Sequence, residues 1–336
     1  MPAGCRAFSL RGLFFLCVLT FAAWAWAQND SDEVHLTPHQ SPAALAAAAR
    51  GMDLGLSTYT KPIRKTVDLV LVPVTITDEL NRLVVGLRQN NFRVFEGKKP
   101  QAIEHFSSED APVSIGILMD ISGSMKYKMD RAQEAVRRFC EAANPQDEFF
   151  MVTFSNEPRL VTDFTSRPEE VENKLLFAAA RGETSLLDAI YMGISKMREA
   201  RYSRKALLII SDGGDNHSRY TDVEVKSAVK EADVVIYAVG TYDRYFPTQE
   251  ERLGPELLNN IAEVTGGQAF TLDNPNDLPA VVTRVGVALR NQYVLAYHPD
   301  NTPHDGKWHK INIKLQIPKL SFLHVHAKAG YYAASE

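Results

Sequence analysis

Residues 114–119 read SIGILM, a run with no polar face to turn toward water. Such a strand has to be covered on both sides, the situation inside a parallel sheet with helices on either face. Residues 205–211 (KALLIIS) repeat the pattern. Around these two runs strand and helix periods alternate from residue 113 to 290, which specifies an α/β fold with a doubly wound, mostly parallel sheet. Helices are expected over 130–143, 168–179, 185–201, 221–232, 255–265 and 276–290. Further strands are expected over 148–154, 159–164 at an edge, 234–240 and 268–272. Ser185 or Thr184, Thr221, and Asp277 or Asn276 are N-cap types, and Gly266 follows the helix ending near Thr265.

The first buried run ends in chemistry. Asp120, Ser122 and Ser124 follow at alternate positions, and Gly123 lets the loop fold tightly. Three short oxygen-bearing side chains in one loop suit a hard cation, Mg²⁺ or Mn²⁺. Residues 182–186 (GETSL) put the Thr184 hydroxyl in a second loop ahead of a helix, and the second buried run ends in Asp212, with Gly213, Gly214 and Asp215 after it. In an open parallel sheet the carboxyl ends of the strands share one edge, so all three loops reach the same place.

D-x-S-x-S alone is a weak signal, because Asp and Ser crowd together in turns of every kind. Its position after a buried strand, with the Thr loop and the strand-borne Asp following in order, resembles the von Willebrand factor A (VWFA) domain and its metal-ion-dependent adhesion site. The resemblance implies a Rossmann-like domain with Asp120, Ser122, Ser124, Thr184 and Asp212 as metal ligands. With only two carboxylates among the five, the ion stays electrophilic and keeps a position for a partner's Asp or Glu. The wider plan is similar to the VWFA-related proteins common in acidobacteria, over about residues 67–333, on the segments FRVFE (92–96), DGKW (305–308) and GYYA (330–333). Lys328 and Ala329 depart from the more basic pair expected there.

Arg6 and Arg11, an apolar stretch over 13–23 and Ala25-Trp26-Ala27 before Gln28 form the pattern of a secretory signal peptide. Residues 1–27 are therefore expected to be a signal cleaved before Gln28. Left uncleaved, the segment would be the protein's membrane attachment. Cys17 follows Phe15 and Leu16 rather than a small residue, which argues against a lipoprotein anchor. Residues 28–65, rich in Ser, Pro, His and Ala, read as a flexible spacer. Residues 66–110 are expected to form an N-terminal β module: an edge or bulged strand over 67–77 because of Pro73, short strands over 84–86 and 92–95, a turn over 96–100 and a strand over 101–106. After the α/β domain at 111–290, residues 291–336 supply strands over 292–297, 308–316 and 323–332. Four short strands are thin for independent stability, so the C-terminal strands should complete a β-sandwich-like module around an inserted α/β domain.

Several chemistries are disfavoured. The net charge of −4 without a basic stripe excludes a nucleic-acid partner. Cys5 and Cys17 fall in the leader, leaving Cys140 on a helical face with Ala132, Ala135, Val136 and Phe139 as a core thiol with no disulfide partner. Neither G-x-x-x-x-G-K-[ST] nor G-x-G-x-x-G occurs, and Ser122 stands where a phosphatase similar to the haloacid dehalogenases needs a second Asp as general acid. A serine nucleophile would need a base; His217 is the nearest candidate, and without a G-x-S-x-G elbow it reads as a polar loop residue. His324 and His326 share a strand face but lack matching Cys or carboxylate spacing for zinc, and Glu104, Glu109 and Asp110 read as a solvated linker. The favoured function is a secreted or envelope-associated, non-enzymatic module that captures a protein or glycan ligand through the cation. An accessory subunit docking a catalytic partner is the alternative, and a metal-assisted hydrolase ranks third.

Overall fold

The computed structural model describes residues 69–212, 214–242, 249–299, 305–317 and 322–333. The expected signal at 1–27 and spacer at 28–65 lie outside the described residues.

Ahead of the α/β region run β1 (Val70–Thr77), β2 (Phe92–Glu96), β3 (Lys99–Gln101) and β4 (His105–Ser107). Next come β5 (Ser114–Asp120), α1 (Met129–Ala142), β6 (Glu148–Phe154), β7 (Pro158–Thr165), α2 (Pro168–Leu175) and α3 (Leu186–Lys196). They are followed by β8 (Lys205–Ser211), α4 (Asp222–Glu231), β9 (Val235–Thr241), α5 (Gln249–Thr265), β10 (Ala269–Leu272) and α6 (Leu278–Arg290). The chain closes with β11 (Tyr293–Tyr297), β12 (Trp308–Leu315), β13 (His324–Ala327) and β14 (Gly330–Tyr332).

Six strands make the central sheet in the order β10-β9-β8-β5-β6-β7, parallel throughout except for β7 at one edge. Every residue of β5 is buried, as its lack of a polar face requires. Ile115, Ile117 and Met119 join one apolar cluster with Phe139 of α1 and Val282 of α6, whereas Leu118 joins a second with Ile190 of α3 and Ile261 of α5. Each such side chain stabilises the fold by roughly 1.5–3 kcal/mol. Cys140 lies in the first cluster, and burial, followed by the charge of Glu172, pushes its thiol up to about 12.

Two four-stranded antiparallel sheets flank this domain, in the orders β13-β1-β11-β4 and β14-β12-β2-β3. Both interleave strands from before and after the α/β region: Val70 is paired with Tyr297, and Val94 with Ile313. Their shared core holds Val72, Val74, Phe92, Val94, Tyr293, Leu295 and Ile311. The α/β class with a flanking β module built from both ends of the chain is as the sequence predicts.

Details differ. β1 is no edge strand, since it lies between β11 and β13; Pro73 is tolerated because β13 reaches only from Val74 onward. Residues 84–86 form no strand. Leu83 makes an isolated bridge with Thr77, and Val85 is exposed with no sheet to join. Residues 323–332 are two strands in different sheets, not one, and Ala329 between them bonds to Val264 and Ile311 through its backbone. α5 begins before Pro255 and carries it inside the helix, held by buried Leu258, Ile261 and Ala262. α2 and α3 stop short of the expected ends, α3 passing into a single 3₁₀ turn, Met197–Glu199. Gly266 does terminate α5, at φ 82°, and a Cβ there would lie 2.4 Å from the Lys328 nitrogen, so glycine lets the flanking strand come close. No helix among the described residues is long and apolar enough to cross a membrane.

Candidate functional site

β5 and β8 are parallel neighbours, with Met119 beside Ile210, so their last residues deliver side chains to one spot. Asp120 ends β5 with both carboxylate oxygens engaged. The Ser122 N–H donates to Oδ1 at 2.8 Å and the Ser211 hydroxyl to Oδ2 at 2.6 Å. Ser122 and Ser124 bring their hydroxyl oxygens within 3.0 Å of each other. Asp120, Ser122, Thr184 and Asp212 are buried while Ser124 is exposed, so the oxygen set opens to solvent on the Ser124 side.

The three loops are tied together by main-chain bonds. Gly123 donates its N–H to Gly182 at 2.9 Å, and Arg181 donates to Ile121 at 2.8 Å. Gly182 has φ 84°, and a Cβ there would sit 2.3 Å from Asn156 Oδ1, the acceptor of the Glu183 N–H. Thr184 is clamped to the third loop: its N–H donates to Asn216 Oδ1 at 2.9 Å, and its carbonyl accepts from the Asn216 and His217 N–H groups. The sequence-based cap for α3 is corrected here. Ser185 occupies the N-cap position without a side-chain cap bond, and its buried Oγ has no partner among the described residues. Asp215 Oδ1 accepts from Leu186 N–H at 2.9 Å instead, and also from the Ser218 hydroxyl at 2.6 Å. For α6, Asn274 caps the leading 3₁₀ turn, and Asp277 precedes the helix without a side-chain bond; Thr221 caps α4 as expected, in a capping box with Glu224.

Burial, and after it the neighbouring Asp212 charge, pushes Asp120 well above the usual carboxylate range, against the hydrogen bonds from Ser211 and Ser122. A cationic side chain missed in the sequence answers this concentration of negative charge. Lys128 Nζ lies 3.3 Å from Asp212 Oδ2 and donates to the Thr241 carbonyl at 3.0 Å. Ser211 was also missed, although it is the last residue of a strand already assigned to this edge.

The other candidates fall elsewhere. His217 is exposed, pairs through Nδ1 with Glu183, and makes no hydrogen bond to Ser122 or Ser124. His326 is half-buried against Thr77 Oγ1 at 3.0 Å and Gln268, while His324 is exposed; among the described residues no group of three or more His, Cys, Asp or Glu could hold a metal. The acidic linker is partly paired rather than simply solvated: Asp110 accepts from Arg290 at 2.7 Å and Glu104 lies 3.3 Å from His298.

Residues 115–214 match the family model of the von Willebrand factor type A domain, a span that holds all five oxygen donors. The chain carries a von Willebrand factor type A domain. A curated relative, inter-alpha-trypsin inhibitor heavy chain H4 of Bos taurus, is 23% identical over 145 residues, 38% of this chain, and the chain spans only 16% of that protein. Among solved structures, a von Willebrand factor type A protein from Catenulispora acidiphila is 13% identical with a TM-score of 0.47, covering 80% of this chain and 75% of that one. The pilus adhesin SpaC from Lactobacillus rhamnosus GG, in an open conformation, is 10% identical with a TM-score of 0.45, covering 75% of this chain and 49% of that one.

Proposed function

We propose that this von Willebrand factor A chain is an exported, non-enzymatic binding module. It would hold Mg²⁺ or Mn²⁺ through Asp120, Ser122, Ser124, Thr184 and Asp212 and capture a protein or glycan ligand that offers an acidic group. The observation that carries the reading is the buried, hydroxyl-rich oxygen set at the carboxyl edge of the sheet, open to solvent at Ser124. Its donors fit a hard cation: all are oxygens, and two are carboxylates. A bound cation would supply Lewis acidity toward a partner's carboxylate.

The chain's own residues position that set. Ser211 and the Ser122 N–H fix both Asp120 oxygens, and Asn216 and Asp215 hold the loop that bears Thr184. Tyr127, three residues after Ser124, is 91% exposed with Lys126 Nζ over its ring. Neither Ser122 nor Ser124 is hydrogen-bonded to His217, whose Nδ1 pairs with Glu183. Export rests on the leader pattern of residues 1–27.

Immobilised mature protein, residues 28–336, tests the reading. Envelope proteins should be retained in Mg²⁺ and released by EDTA. Retention that survives EDTA would contradict a metal-held ligand, and a retained protein that is itself an enzyme would favour the accessory-subunit alternative.

A further inference from the structure

Lys128 points its charge inward. It follows the 3₁₀ turn Gly123–Tyr127, where Lys126, two residues earlier, is exposed. Its backbone is fixed at both ends, with the N–H donating to Met125 at 2.8 Å and the carbonyl accepting from Ala132 at 3.0 Å. The side chain is only 13% exposed and crosses from the loop after β5 to the ends of β8 and β9, where it meets Asp212 and Thr241. Asp212 is 1% exposed and Asp120 0%, so two carboxyl groups are buried side by side. Burying a carboxylate is costly unless a cation compensates it, and the ion pair at Asp212 comes from Lys128.

We propose that Lys128 is a tethered counter-ion of the metal site, holding Asp212 in the metal-free chain and competing with the divalent cation for that carboxylate. The inference rests on the binding reading above for the identity of the competitor. An ammonium left beside a loaded site repels the ion, and an ammonium that withdraws gives up its pair with a buried carboxylate. Both routes weaken metal binding relative to the same oxygens without the lysine. Capture of the acidic ligand is thereby restricted to conditions rich in divalent cation.

Lys128→Met keeps the length of the buried stem and removes the charge. Calorimetric titration with Mg²⁺ of the whole mature chain, at fixed pH and ionic strength, should show the variant binding on the order of tenfold or more tighter than wild type. Lys128→Arg, which keeps the charge, should stay near wild type. In EDTA the Met variant should unfold at lower temperature than wild type, and saturating Mg²⁺ should raise its midpoint by more. Lys128→Gln, which retains a donor for the Thr241 carbonyl, replaces the Met variant if that one does not fold. If wild type binds and the uncharged variant binds no tighter, the counter-ion role is overturned and the metal site stands. If wild type shows no binding while the uncharged variant binds, the counter-ion role stands and the native chain is not a metal-dependent binder. If neither binds, both fall.

Discussion

Ser211 donates its hydroxyl hydrogen to Asp120 Oδ2 at 2.6 Å, from the last residue of β8 to the last residue of β5. Strand pairing, more than loop conformation, therefore fixes where the first carboxylate of the site lies. Both residues are fully buried, so the bond is made away from solvent. Ser211→Ala leaves a buried carboxylate oxygen without its partner and should lower the stability of the metal-free protein by about 1–3 kcal/mol. Ser124→Ala, at an exposed hydroxyl, should cost less than about 0.5 kcal/mol. Urea unfolding in EDTA compares them; equal losses would mean that the Ser211 bond does not hold Asp120.

The flanking sheets depend on both ends of the chain. Removing everything after Arg290 takes β11 from between β1 and β4, and β12 from beside β2. The exposed edges and the opened Val72, Phe92 and Val94 core should drive aggregation. Light scattering of the truncated protein checks this, and a monodisperse product as stable as the full chain would show that the α/β domain needs no help from its flanks.

His309 makes the β module sensitive to pH. Its Nδ1 lies 2.7 Å from Glu96 Oε1 and its Nε2 3.3 Å from Asp305 Oδ1, while Tyr297 and Tyr331 donate to the other Glu96 oxygen. Burial pushes His309 down, but the two carboxylates outweigh it and the imidazole ends above its ordinary 6.5. A folded value above the unfolded one contributes stability that is complete below the unfolded pKa and is lost as pH rises through the folded one. Wild type should lose this contribution as pH climbs from roughly 6 to 8, whereas His309→Gln should lack it. Half-buried His326, which burial pushes down, works in the opposite direction and is common to both proteins. Thermal unfolding across that range reads the difference in slope, and identical slopes would remove His309 from the account.

The parts of this molecule legible in the sequence are those whose signal is local. SIGILM and KALLIIS announce a doubly covered sheet because neither has a polar face, and the oxygen donors Asp120, Ser122, Ser124 and Asp212 sit at or just beyond the ends of those runs. What escaped depends on partners distant in the chain. Lys128 meets Asp212 across 84 positions, Ser211 meets Asp120 across 91, and Asp215, in place of Ser185, caps the Leu186 N–H from 29 residues further along the chain. The same applies to β1, whose interior place comes from strands near the C-terminus despite Pro73. β13 and β14 read as one strand because the change of sheet falls at Lys328 and Ala329, which carry no turn signal.

A calorimetric titration of Mg²⁺ into the mature chain, beside Asp120→Ala, Ser122→Ala and Thr184→Ala, tests the central claim most directly. Removing the Asp120 carboxylate takes a charged oxygen from the set and should abolish most of the binding, while the two hydroxyl losses should weaken it less. All three variants should remain folded, because the sheet core is apolar and Asp120→Ala also relieves the crowding of two buried carboxyl groups. Binding by wild type that is lost in folded Asp120→Ala is the predicted result; Mg²⁺ binding by Asp120→Ala as tight as wild type would contradict it.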